Sequence, residues 1–131
     1  MRLLLDTHIW IWSSVEPHKL TLEVAQAIAS PENERFLSPV SIWEMALLLE
    51  KKRFQIDRDL GEWLLKSREE LVLAEAPLTW RVAQEFRFTM LAHRDPADRL
   101  LAATAKVYDL TLATSDEKLM SVPDMKVMPN R

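Results

Sequence analysis

Acidic side chains recur in this chain where their spacing could do chemistry: Asp6 closes the apolar run RLLLD, Glu44 lies inside SIWEMALLLEKK, Asp95 and Asp98 open DPADRLLAATA, and Asp116 follows TLAT. A carboxylate at the end of a buried strand sits near the core and needs hydrogen-bond donors or a cation. Two bare carboxylates about 4 Å apart repel by roughly 4 kcal/mol at an effective dielectric near 20, so a convergence of Asp6, Glu44, Asp98 and Asp116 would call for a metal ion. With oxygen ligands and no cysteine in the chain, that ion would be a hard one such as Mg²⁺ or Mn²⁺. It would activate a bound water and stabilise the attacking and leaving oxygens of an in-line displacement, which makes phosphodiester hydrolysis the natural chemistry. Acids at strand ends also build phosphoryl-transfer sites, so the spacing alone leaves that alternative open.

Each acid also has a plainer role. Asp95 before Pro96 is the expected helix N-cap, with Asp98 three residues on as a capping partner. Asp116 beside Ser115 suits the positive end of a helix, and Glu44 shares a polar stripe with Ser41 and Lys51 that could simply be solvated. Asp6 is the hardest to explain in this way.

The elements that must position these residues read as strands alternating with helices. Arg2–Asp6 is a strand buried on both faces with Asp6 at its carboxyl end, followed by helices over 7–15 and 21–30, the second with Leu22, Ala25 and Ala29 at helical spacing. Arg35–Leu37 is a second strand, and Ser38 as cap with Pro39 at the first helical position opens a helix over 39–52. A helix over 61–70 leads to a strand around 71–75, and a further helix runs over 79–92. Asp95-Pro96 starts another over 95–109, strand 111–114 follows, Ser115 caps a short helix, and 125–128 is an edge strand. The pattern implies one α/β domain over residues 1–131, with a mainly parallel sheet of four or five strands between helical layers. In such sheets, ligands bind beyond the carboxyl ends of the strands, where these acids fall.

Composition excludes several classes of function. The 131 residues are 48% hydrophobic and 28% charged with a net charge of −3, typical of a folded soluble domain and without a field that attracts nucleic acid as a whole. The lack of cysteine removes disulfides, thiolate nucleophiles and Cys-based metal sites, and the single glycine, Gly61, excludes a Gly-rich phosphate loop. No apolar stretch nears the roughly 18–20 residues needed to span a bilayer, and Asp6 and His8 interrupt the N-terminal run, so a cytoplasmic protein without a membrane partner is expected.

LLLDTHIWIW, SIWEMALLLEKK, DPADRLLAATA and TLATSDEKL, in this order and spacing, resemble the PIN domain of VapC-type toxins from bacterial toxin–antitoxin pairs. The resemblance covers essentially the whole chain, and DPADRLLAATA is its most specific part. It implies a PIN-like three-layer fold and a Mg²⁺- or Mn²⁺-dependent endoribonuclease, acting on RNA, often a structured one such as tRNA, and restrained by a small antitoxin. Asp6, Glu44, Asp98 and Asp116 fall on its acidic catalytic and metal-site positions and Thr114 on the hydroxyl position before the last acid, with Asp95 and Ser115 as accessory residues. His8 departs from the family pattern, where Asn is common, and is read as a partly buried helix residue.

Cations beside these segments are candidate RNA contacts: Arg94 and Arg99 flank the Asp95–Asp98 pair, with His93 next to them, and Lys51 and Lys52 end the Glu44 helix. Phosphate contacts position an RNA without specifying its bases. Trp10 and Trp12, two apart on one helix, cannot both face the core, and with Leu47, Leu48 and Trp63 they suggest an apolar groove for an antitoxin helix or a second copy of the chain in a homodimer. Two other readings stand beside the ribonuclease. A haloacid-dehalogenase-like phosphoryl-transfer enzyme would want an acid two residues after Asp6, where His8 stands, and a non-catalytic PIN-like binding module would use the acids only as caps.

Overall fold

A computed structural model of the chain describes residues 1–89 and 95–131. Its sheet is built from β1 (Arg2–Leu5), β2 (Glu34–Leu37), β3 (Leu73–Glu75), β4 (Thr111–Thr114) and β5 (Lys126–Pro129), all parallel, in the order β3-β2-β1-β4-β5. The helices are α1 (Thr7–Val15), α2 (Leu22–Ala29), α3 (Pro39–Glu50), α4 (Leu60–Leu71), α5 (Trp80–Glu85), α6 (Pro96–Tyr108) and α7 (Glu117–Met120). The chain winds from β1 outward to β2 and β3, then crosses back to lay β4 and β5 on the other side of β1. The reversal opens a crevice between the carboxyl ends of β1 and β4.

Side chains of β1 alternate between two cores. Leu3 and Leu5 join Ile9, Trp10, Val24, Met45 and Trp63 beneath α1–α4, whereas Leu4 joins Ala102, Ala105, Leu112 and Leu119 beneath α6 and α7. The small side chains of α6 let that helix lie close against the sheet. A third cluster of Val40, Ala97 and Leu101 joins the first turn of α3 to that of α6, so the two helices that carry Glu44 and Asp98 are packed against each other at the same end of the molecule. No helix among the described residues is long and apolar enough to cross a membrane.

Several boundaries differ from the sequence reading, each for a local reason. The helix expected over 79–92 is α-helical only over Trp80–Glu85 and tightens to a 3₁₀ turn at Phe86–Phe88. There Arg99 takes the carbonyls of Phe86 and Thr89 at 2.9 Å each, which a continuing α-helix would have kept for its own ladder. Residues 90–92 of that expected helix lie outside the described residues. Asp116, not Ser115, caps the short α7, because its carboxylate accepts from the Lys118 N–H at 2.8 Å. The core-facing pair of α2 is Val24 and Ile28, one turn apart and larger than the alanines, while Leu22 is exposed. Helix α3 stops at Glu50, where Lys51 is the C-cap and Lys52 turns left-handed at φ 57°. Helix α4 runs on to Leu71 and ends on a left-handed Val72, which shortens β3.

The tryptophans also part company with expectation. Trp10 is fully buried, its ring edge-on to Trp63 with centroids 5.0 Å apart and its Nε1 donating to Ser67 Oγ at 2.8 Å. Trp63 is buried as well, so the pair fills the core and does not line a partner groove. Trp12 lies half-buried with the Lys19 ammonium 5.3 Å over its ring. The exposed indoles are Trp43 and Trp80.

Candidate active site

Asp6 stands one residue beyond β1, opposite the end of β4, since Leu5 pairs with Ala113. Its backbone N–H continues the ladder to the Ala113 carbonyl at 3.0 Å, and its extended conformation lets the side chain cap α1 by accepting from the Thr7 N–H at 2.8 Å. The other carboxylate oxygen accepts from the Thr114 hydroxyl at 2.6 Å. The same hydroxyl accepts from the Asp116 N–H at 3.0 Å, which ties the turn carrying Asp116 to the crevice. Burial pushes the Asp6 carboxyl above its ordinary value; the Thr114 and Thr7 hydrogen bonds and the charge of His8 oppose the shift, and Asp116 reinforces it.

Glu44 reaches this point from the second turn of α3, a helix started by Ser38, whose hydroxyl accepts from the Val40 N–H at 3.0 Å. The Thr7 hydroxyl lies 2.5 Å from Glu44 Oε1 and 2.8 Å from Ser41 Oγ. With one proton to give, it serves the carboxylate, the stronger acceptor, and can take the Ser41 proton in turn. Ser41 is therefore buried in a polar chain and not part of a solvated stripe. Burial raises the Glu44 pKa, the Thr7 bond opposes this, and the charges of Asp6 and Asp95 add to the rise.

Asp95 caps α6 by accepting from the Ala97 N–H at 3.0 Å, as the sequence suggests. Asp98, one turn further, is half-buried, and its carboxyl is pushed up to about 8. Burial is the largest cause, followed by the charges of Asp6, Asp95, Glu44 and Asp116. The charges that add to this rise come from the end of β1, from α3, from the α6 cap and from the turn after β4, which places these acids near one another at the same end of the sheet. The donor set is all oxygen, which suits a hard divalent ion. Among the described residues, no three Asp, Glu or His side chains form a ready-made cage. Mg²⁺ needs none, since it is commonly bound by one or two carboxylates and keeps several waters.

The remaining candidates lie elsewhere or are otherwise engaged. Lys51 and Lys52 sit at the far end of α3, about 10 Å beyond Glu44 at 1.5 Å per residue, and both are exposed. Arg99 has its guanidinium 3.8 Å over the Phe86 ring and holds the Phe86 and Thr89 carbonyls. Ser115 follows Thr114 at the mouth of the crevice. Arg94 and His93 lie outside the described residues. His8 is exposed, not partly buried, and leans on Trp12 and Phe54 with centroids 5.6 and 6.3 Å away. The sequence marks Ser41 only as part of a polar stripe and gives Thr7 no role; the only signal for either was a hydroxyl, one residue after Asp6 and three before Glu44.

Comparison with known proteins shows the family. Residues 3–124 match the PIN domain family. Ribonuclease VapC22 of Mycobacterium tuberculosis is 34% identical over 123 residues, 90% of this chain and 89% of that protein. Among solved structures, VapBC2 from Rickettsia felis bound to a promoter DNA fragment superposes with a TM-score of 0.70 at 14% identity, covering 98% of each chain. VapBC-1 from nontypeable Haemophilus influenzae gives 0.64 at 15% identity and 98% of each chain, and FitAcB from Neisseria gonorrhoeae 0.55 at 22%, covering 98% of this chain and 97% of that one. On the family match and the near-complete alignment with a VapC-type relative, the chain belongs to the PIN domain family.

Proposed function

We propose that the chain is a divalent-metal-dependent endoribonuclease, the toxin of a toxin–antitoxin pair acting in the cytoplasm, with Asp6, Glu44, Asp98 and Asp116 as its metal-holding carboxylates. The observation that carries the reading is the placement of acids from four elements around the β1–β4 crevice, where burial first and the neighbouring charges second push the Asp98 carboxyl up to about 8. A crevice lined by carboxylates from four elements suits a cation, and similarity to Ribonuclease VapC22 supports RNA as the substrate. When bound, Mg²⁺ or Mn²⁺ would supply an activated water and charge stabilisation for phosphodiester displacement. The chain's own groups do the positioning. Thr114 and the Thr7 N–H fix both oxygens of Asp6, while the Thr7 hydroxyl, backed by Ser41, fixes Glu44. Asp95 serves as a cap and adds to the field, which makes it an accessory residue. A small antitoxin is the partner this reading brings, in line with the VapBC pairs whose structures share the fold.

The phosphoryl-transfer alternative loses its footing, because the residue two after Asp6 is an exposed His8 and the family is PIN. The test is incubation of the purified chain with labelled RNA, DNA of the same sequence and a phosphomonoester, each with Mg²⁺, Mn²⁺ or EDTA. Internal cleavage of RNA alone, abolished by EDTA, is the expected result. Phosphomonoester turnover would point to phosphoryl transfer, and no turnover of any substrate would leave a binding module.

A further inference from the structure

The segment between β3 and α6 carries a surface that the catalytic reading does not use. Trp80, Arg81, Gln84, Arg87 and Phe88 are all exposed and follow the i, i+1, i+4, i+7, i+8 pattern of one helical face. Trp80 is 90% exposed and Phe88 61%, far more than packing requires. The inward side of the same segment is fully occupied: Val82 and Thr89 are buried, Glu85 pairs with Lys106 at 3.9 Å, and Phe86 lies under Arg99. Because Glu85 turns to Lys106, neither Arg81 nor Arg87 has a carboxylate within ion-pair distance among the described residues. Arg87 instead lies 4.4 Å over the Phe88 ring.

We infer that this face is a binding platform for unpaired nucleotides of the RNA substrate, with Trp80 and Phe88 stacking on bases and Arg81 and Arg87 contacting backbone phosphates. The inference rests on the ribonuclease reading and adds to it a site for substrate. Two observations favour RNA as the occupant. Aromatic rings interleaved with unpaired guanidinium groups offer a stacking surface and positive charge together, the combination that single-stranded nucleic acid requires. The face is also tied to the helix that carries Asp98: Arg99, on the first turn of α6, holds the Phe86 and Thr89 carbonyls next to Phe88. Arg99 is thus a positioning residue. The other exposed indole, Trp43, lies on α3, which has no basic residue.

The test measures both affinity and cleavage. Affinity is read by fluorescence anisotropy with a labelled, unstructured RNA of about a dozen nucleotides, within the span such surfaces cover, in an Asp98→Asn background that prevents turnover. Trp80→Ala and Phe88→Ala should each raise Kd at least about fivefold, with Trp80→Phe retaining most of the affinity. Arg81→Gln and Arg87→Gln should each reduce the slope of log Kd against log salt by about 0.7. Melting temperatures should not move, since these side chains are exposed. Unchanged Kd and salt slope would overturn the platform, as would variants that bind RNA normally but lose hold of a protein partner. If the parent chain cleaves no RNA while the variants still lose affinity, the platform stands and the nuclease reading falls.

Discussion

Replacing Asp98 by Asn should make the metal-free protein more stable at pH 8 and abolish its activity. The ordinary carboxyl value is 3.8, and in the fold it is about 8. Below about pH 4 the group is protonated in both the native and unfolded states. Between about 4 and 8 the unfolded chain releases the proton while the native state keeps it, so native stability falls as pH rises, and above 8 the loss is complete. At 1.36 kcal/mol per pH unit the full gap would be about 5–6 kcal/mol. The carboxyl is only half-buried, and screening by water reduces this to about 2 kcal/mol. Asn keeps the shape and cannot ionise, so the variant escapes the decline. Its melting temperature should match that of the parent near pH 4 and exceed it by roughly 6–10 °C at pH 8 in EDTA. Thermal unfolding from pH 4 to 8.5 measures this directly. A variant no more stable than the parent at pH 8, or a difference that does not change with pH, would refute an Asp98 carboxyl held neutral by burial and by the acids around it.

Other consequences follow from the same geometry. Mg²⁺ or Mn²⁺ at ten times its Kd should stabilise the parent by about 1.4 kcal/mol at pH 7.5 and have much less effect on Asp98→Asn, as read by thermal shift. Thr7→Val removes the hydroxyl that serves Glu44 and Ser41, leaves buried polar groups unpaired and should cost about 1–3 kcal/mol in denaturant unfolding, with a loss of RNA cleavage. Val72 is a β-branched residue at φ 51°, where Cβ crowds the backbone, and is 70% exposed; Val72→Gly should therefore gain about 1 kcal/mol with cleavage unchanged.

Most of the architecture was legible because its signals are local. The run Arg2–Leu5, the Ser38-Pro39 and Asp95-Pro96 starts and the alternation of strands with helices fixed the order, and the position of acids at strand ends pointed to the crevice. What escaped depends on tertiary partners. The 3₁₀ turn at Phe86–Phe88 exists because Arg99 competes for its carbonyls, and nothing in the local sequence announces that competition. Helical spacing correctly separates Trp10 from Trp12, but which ring is buried was decided by Trp63 and Ser67, more than fifty residues away in the chain. Asp6 could be recognised as a buried carboxylate, whereas the hydroxyls that orient it and Glu44 are ordinary Thr and Ser residues until the elements are assembled.

The central claim is that Asp6, Glu44, Asp98 and Asp116 act as one unit, and a cycle of carboxylate-to-amide variants assayed for Mn²⁺- or Mg²⁺-dependent RNA cleavage tests it most directly. Each single substitution, Asp6→Asn, Glu44→Gln, Asp98→Asn or Asp116→Asn, should reduce cleavage by at least about 100-fold, and Asp6→Asn combined with Asp98→Asn should be no worse than either alone, as expected of groups that work together. Folded single variants that keep near-parental cleavage, or a double variant whose loss is the product of the two single losses, would contradict the account.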